Sequence, residues 1–219
     1  MERDLQNRLA ILAEGAKYDV SCASSGSNRS GKGKLGNACP AGVCHTWTDD
    51  GRCVSLLKLL LTNDCIYDCA YCVNRRSNDV PRASFSPREV AEITAAFYKR
   101  NYIEGLFLSS AIRRSPDDTM IDLIQTLTLL RREFDFGGYI HAKVIPGASH
   151  ELTETLGRLA DRVSVNIELP SERSLTLWAP QKKPEAIFKP MKYINGRIEE
   201  RSSERRPARR LPPFAPAGQ

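Results

Sequence analysis

The feature that most constrains this chain is the stretch over residues 55–76, SLLKLLLTNDCIYDCAYCVNRR, where an apolar run delivers the backbone into a loop of three cysteines. Cys65, Cys69 and Cys72 are separated by three residues and then by two. Thiolates are soft ligands for iron-sulfur clusters and zinc, and short spacings wrap them around one centre. A structural centre takes four protein ligands, whereas this loop supplies three and no cysteine follows Cys72. Three protein ligands leave one coordination position open, the mark of a centre that does chemistry. Cys53 precedes the apolar run. With residues 54–62 extended at about 3.3 Å each, it stands roughly 25–30 Å from the loop and cannot easily close the site. The alternatives are a zinc knuckle and three buried core thiols.

At 219 residues the chain allows one domain with extensions. Its net charge is +6, but residues 182–219 hold ten Lys or Arg against four Glu, which leaves residues 1–181 balanced at 22 of each sign. A basic end of this kind pairs with phosphate or remains a solvated tail. An odd count of seven cysteines, and a start without a charged and then apolar leader, argue against a secreted disulfide framework and for the cytoplasm. No apolar run approaches the roughly 18–20 residues that cross a bilayer, so no membrane partner is expected.

Leu5, Leu9 and Leu12 fall at helical spacing before Gly15, which predicts an amphipathic helix over 2–14. Residues 21–42 turn to Ser, Gly, Asn and Lys, an irregular segment, so 1–54 reads as a helical and irregular extension. Within it GSNRSGKG comes close to a phosphate-binding P-loop but places Gly33 where the magnesium-binding hydroxyl belongs, and KLGNACPAG after it cannot begin a helix. Cys22, Cys39, Cys44 and Cys53 form a second thiol set, with His45 beside Cys44. Spacings of sixteen, four and eight residues fit no zinc or ferredoxin pattern, so buried structural thiols are the reading and a second metal the alternative. Haem attachment to Cys39, Cys44 and His45 fails on a gap of four residues where two are needed.

Beyond the loop the pattern alternates. Helices are predicted over 87–100, 117–134 and 149–160, the first with Ser86 as N-cap, Pro87 in the first helical position and Glu89 in the first turn. The second places Met120, Ile121, Ile124, Leu127 and Leu130 on one side. Strands are predicted over 55–62, 105–110, 139–145 and 162–169, giving an α/β fold with parallel strands and outer helices. The third strand sets Ile140, Ala142 and Val144 opposite Tyr139, His141 and Lys143; the fourth sets Val163, Val165, Ile167 and Leu169 opposite Ser164, Asn166 and Glu168. A doubly wound sheet reads apolar on both faces, so one polar face implies a barrel with a lined interior. His141, Lys143, Asn166 and Glu168, joined by Lys58, are the site candidates outside the cysteine loop. Mutually satisfied core polars are the alternative.

The cysteine spacing, with Tyr71 just before the third thiol and a strand before the loop, resembles the radical S-adenosylmethionine (radical SAM) superfamily. The resemblance implies a 4Fe-4S cluster on Cys65, Cys69 and Cys72, with S-adenosylmethionine on the fourth iron and Tyr71 against its adenine. Reductive cleavage would then give a 5′-deoxyadenosyl radical. It also implies a partial barrel, with Ser109, Ser110 and Ala111 contacting the methionine amino group, although SSA stands here where GGE is common. Asn166 and Glu168 match ribose-contacting positions. Over residues 9–190, KYDVSCASSG, CHTWTDDGRC, TNDCIYDCAYCVNRRSNDVPR, RNYIEGLFLSS and ADRVSVNIELP resemble a branch tied to DNA modification or repair. That branch implies a nucleic-acid substrate, a partner resembling uracil-DNA glycosylases, and an electron donor such as flavodoxin or ferredoxin. The other reading of the chain is a non-enzymatic zinc- or cluster-stabilised nucleic-acid-binding or scaffold protein.

Arg75, Arg76 and Arg82 after the loop, and Arg113 and Arg114 after the second strand, are candidates to dock a phosphate backbone. The barrel itself is assigned to 55–180, with a short helix expected over 171–179. From Pro180 the chain holds seven of its thirteen prolines and a dense arginine run, so 181–219 is expected as a disordered basic tail. The barrel is then expected to be incomplete, about four strands with an exposed edge, as in a truncated member or one completed by a second polypeptide.

Overall fold

The structure, a computed structural model, describes residues 2–19, 43–47, 53–203 and 217–218. The GSNRSGKG stretch, Cys22, Cys39 and residues 204–216 of the basic tail lie outside the described residues. The strands β1 Val43–Trp47, β2 Cys53–Leu60, β3 Gly105–Ser109, β4 Tyr139–Lys143, β5 Arg162–Ser164 and β6 Ala217–Gly218 form one sheet in chain order. β1 runs antiparallel to β2, and every later neighbour is parallel. Parallel neighbours need crossovers. α2 Pro87–Lys99, α3 Pro116–Thr128 and α4 His150–Leu159 supply them, giving a partial (β/α) barrel. α1 Glu2–Ala16 packs on β2, while α5 Glu172–Trp178 and α6 Pro184–Ser203 lie in the connection from β5 to β6. No helix among the described residues is long and apolar enough to cross a membrane.

Local sequence explains the helix starts. Ser86 accepts from the Glu89 amide while the Glu89 carboxylate accepts from the Ser86 amide, a capping box with Pro87 in the first turn. Ser115 and Ser149 cap α3 and α4 in the same way from their hydroxyls. The helix expected over 117–134 is divided, because the turn Leu129–Glu133 is π-helical. Ile121, grouped on one side with Met120 and Leu127, is 40% exposed, and Leu123 is buried with those two.

Strand register sets two faces. Leu57, Leu106 and Ile140 stand side by side, as do Leu59, Leu108, Ala142 and Val163, and both rows join the core beneath the helices. Each such leucine contributes about 1.5–3 kcal/mol by leaving water. Lys58, Phe107 and His141 form the row between, on the opposite face. Gly105 is required where β3 meets β4: an added Cβ would lie 2.2 Å from the Tyr139 carbonyl oxygen.

Four expectations change. β1 was not anticipated; it pairs Cys44 with Leu56 and Trp47 with Cys53, so Cys44 and Cys53 stand at opposite ends of the hairpin. The strand expected over 162–169 stops at Ser164, and Glu168 holds φ +69°, which no strand residue adopts. The segment after Pro180 is not structureless, because Pro184–Ser203 is helical with Ile187, Met191, Ile194 and Ile198 packed on the core. Pro190 sits inside that helix without an N–H to give, and the carbonyl of Ala186 takes the Gly147 amide at 3.1 Å instead. Finally, the β5 edge is met by β6 at Arg162 and Val163.

Candidate active site

The C-terminal ends of β2 to β5 surround a cleft of ≈ 490 Å³. Cys65, Cys69 and Cys72 line it together with Tyr71, Ser109, Ser110, Asn166, Glu168 and Lys143. Residues distant in sequence, and named from sequence pattern and resemblance, thus line one cleft.

The cysteine loop is held mainly by polar stitching. Leu61 and Ala111 amides bond Ser109 and Thr62 carbonyls at 2.9 Å each, and the Ile66 amide reaches Ile112 at 2.8 Å. Asn63 closes the returning chain by donating to the Pro81 carbonyl and accepting from the Ala83 amide, both at 2.8 Å. Arg82 donates to the carbonyls of Asn63, Asn74, Arg75 and Asn78 at 2.7–2.9 Å. That geometry corrects its expected role: its guanidinium binds the loop backbone and is not presented to a ligand. Arg114 likewise faces Asp118 and Asp122 on α3, and Arg75 donates to Asn78. Arg76 and Arg113 are exposed.

The polar interior divides in two. His141 is fully buried, bonded to the Ser164 hydroxyl at 2.7 Å and edge-on to Phe107, and it does not line the cleft. Lys58 lies against the Phe107 ring and donates to the Asp19 carbonyl at 2.6 Å. Both are buried on the interior face and neither lines the cleft. Lys143, by contrast, opens on the cleft, ion-paired to Asp19 at 3.1 Å and donating to Asn166. Sequence reasoning missed Asp19. The C-terminal end of α1 brings it in, and the one available signal was KYD following a helix stop.

Lys182 was missed as well, hidden in the segment read as tail. Its ammonium lies 2.6 Å from Glu168, which also accepts the Tyr71 hydroxyl at 2.8 Å. Burial, then the Glu168 charge, push the Tyr71 hydroxyl far above its ordinary value. Burial is the largest single influence on the Lys182 ammonium and pulls it down, but the Glu168 charge and hydrogen bond, with the Cys69 and Cys72 charges, together make the net shift upward. Burial pushes the Cys69 and Cys72 thiols up, while Lys182 pulls both back.

The donor set fits an iron-sulfur cluster: thiols from one loop, none bonded to another, facing a cleft. Among the described residues no three His, Cys, Asp or Glu side chains close around a single ion. A 4Fe-4S cage does not require that, since it takes one thiolate at each of three irons.

A partial barrel with a thiol loop after its first parallel strand defines an α/β barrel protein with a candidate cluster site. The Radical SAM superfamily model matches residues 59–203, and the chain belongs to that superfamily. Its cofactors are those of the superfamily, a 4Fe-4S cluster and S-adenosylmethionine. The fold is similar to the crystal structure of HydG, a maturase of the FeFe-hydrogenase, at TM-score 0.50 and 16% identity over 62% of this chain. It is also similar to the FeFe-hydrogenase maturase HydG from Carboxydothermus hydrogenoformans, at TM-score 0.52 and 20% identity over 62% of this chain. The chain spans 31% and 32% of those two structures. No curated protein matches it.

Proposed function

We propose that Cys65, Cys69 and Cys72 hold the 4Fe-4S cluster and that Tyr71, Ser109, Ser110, Asn166 and Glu168 receive S-adenosylmethionine in a radical SAM enzyme. The observation that carries this reading is the single cleft lined by all eight residues. Bound together, the two cofactors supply one-electron reductive cleavage to methionine and a 5′-deoxyadenosyl radical that takes hydrogen from a substrate. The chain's own part is positional. Arg82 and Asn63 fix the thiol loop, and Glu168 orients the Tyr71 ring. Anaerobic reconstitution with iron and sulfide should give about four irons per chain and release 5′-deoxyadenosine under reduction. Zinc in place of iron in protein purified anaerobically overturns the reading in favour of a nucleic-acid-binding module.

The substrate we propose is DNA, in modification or repair, with a uracil-DNA-glycosylase-like partner and flavodoxin or ferredoxin as electron donor. Exposed Arg76 and Arg113 follow β2 and β3 at the cleft end and support it. Affinity for DNA should fall steeply with salt, and R76A or R113A should each reduce that slope by about 1. Salt-insensitive binding assigns a small-molecule substrate. Partner binding that survives loss of all three thiols assigns a scaffold.

A further inference from the structure

Lys182 stands between α5 and α6 with its side chain 13% exposed, lining the same cleft as the three thiols. Besides its contact with Glu168, its ammonium lies 3.4 Å from the Tyr71 hydroxyl and 5.8 Å from the centre of that ring. The segment is tied to the cysteine loop, where the Ala70 amide donates to the Trp178 carbonyl at 2.7 Å. Lys182 is therefore held beside the loop at the residue preceding Cys72. Removing an ammonium from water costs several kcal/mol unless a partner offsets it. Here the partner is Glu168, a non-glycine residue kept at φ +69°. Left-handed backbone outside glycine persists only where surrounding contacts enforce it, and it gathers at functional sites.

We propose that the Lys182–Glu168 pair sets the reduction potential of the cluster held by Cys65, Cys69 and Cys72. The inference rests on the cluster reading above. A cluster on three thiolates carries net negative charge, and reduction adds one more; its potential follows local charge and hydrogen bonding. The ammonium favours the reduced form and the carboxylate opposes it. Removing either unmasks the other, so the two substitutions have opposite signs. Lys182 acts here as a positioning residue, since it moves no atom of the reaction.

The test is a dye-mediated dithionite titration of the reconstituted full chain, without S-adenosylmethionine, followed by electron paramagnetic resonance. At the wild-type midpoint K182M should lower the reduced-to-oxidised ratio about tenfold, equivalent to about 59 mV for one electron. K182R should stay near wild type, E168Q should shift upward, and K182M/E168Q should return toward wild type. Loaded clusters whose midpoints do not move, or move with the opposite signs, overturn the proposal. Where K182M loads no cluster, E168Q decides by its sign alone. Wild-type protein that binds no cluster removes the underlying reading, an outcome distinct from a loaded cluster with a fixed midpoint.

Discussion

Arg131 and Arg82 close opposite ends of one barrel, and their partners differ. Arg131, in the π-helical turn after α3, donates to the carbonyls of Phe136, Gly138 and Leu159 and pairs with Asp161 at 2.7 Å. Asp161 also accepts the Ile140 amide at 2.8 Å, so a charge-balanced unit fixes the N-terminal ends of β4 and β5. Arg82 has four carbonyls and, among the described residues, no carboxylate. One end is neutralised and closed. The other holds its cation, among the described residues, on backbone carbonyls within the loop that carries the thiols, around an open cleft. A guanidinium can order backbone in both settings because its planar fork reaches several acceptors at once.

Breaking each clamp separates stability from cofactor loading. Arg131→Ala has the larger expected effect on folding, about 3 kcal/mol in denaturant titration, since it leaves three carbonyls and a carboxylate without their donor. Iron bound per folded molecule should stay at the wild-type level. Arg82→Ala should cost about 2 kcal/mol, lost hydrogen bonds without a broken ion pair, and should also abolish most iron loading. Lys at position 82 should not restore it. The contrast fails if both variants lose iron alike.

A smaller effect sharpens the comparison at the clamped cap of α2. Glu89 takes Arg8 from α1 at 2.8 Å and closes the Ser86 capping box, and the Arg8 hydrogen bond first of all holds its carboxyl below the ordinary 4.5. The unfolded chain therefore takes up the proton at higher pH than the folded one. The contribution is complete above pH 4.5 and is lost as pH falls through the lower folded value. Glu89→Gln should cost about 1 kcal/mol at neutral pH, and its difference from wild type should close in acid.

What the sequence disclosed is local. Ser86, Pro87 and Glu89 announce α2 within four residues, and the thiols announce their loop by spacing alone. The alternation of β4 exposed the polar interior because Lys143 and Ala142 adjoin. What stayed hidden depends on partners brought together by folding. Asp19 acquires meaning only beside Lys143, and Lys182 only beside Glu168 and Tyr71. α6 was obscured differently: Ile187, Met191, Ile194 and Ile198 follow a helical period, but Pro184, Pro190 and the surrounding cations drew the reading toward a tail. β1, five residues beside a Ser/Gly-rich stretch, needs the length of β2 as its template.

Pro190 carries a consequence for the order of assembly. In an isolated peptide the Ala186 carbonyl would have only solvent, and the helix would fray at that turn. In the folded chain Gly147, at φ +92° in the turn after β4, supplies the missing donor. α6 thus completes its hydrogen bonding only on a body that has already formed its central strands, and in hydrogen exchange it should open before them. The helix that follows Lys182 is therefore expected to dock after those strands and to leave before them.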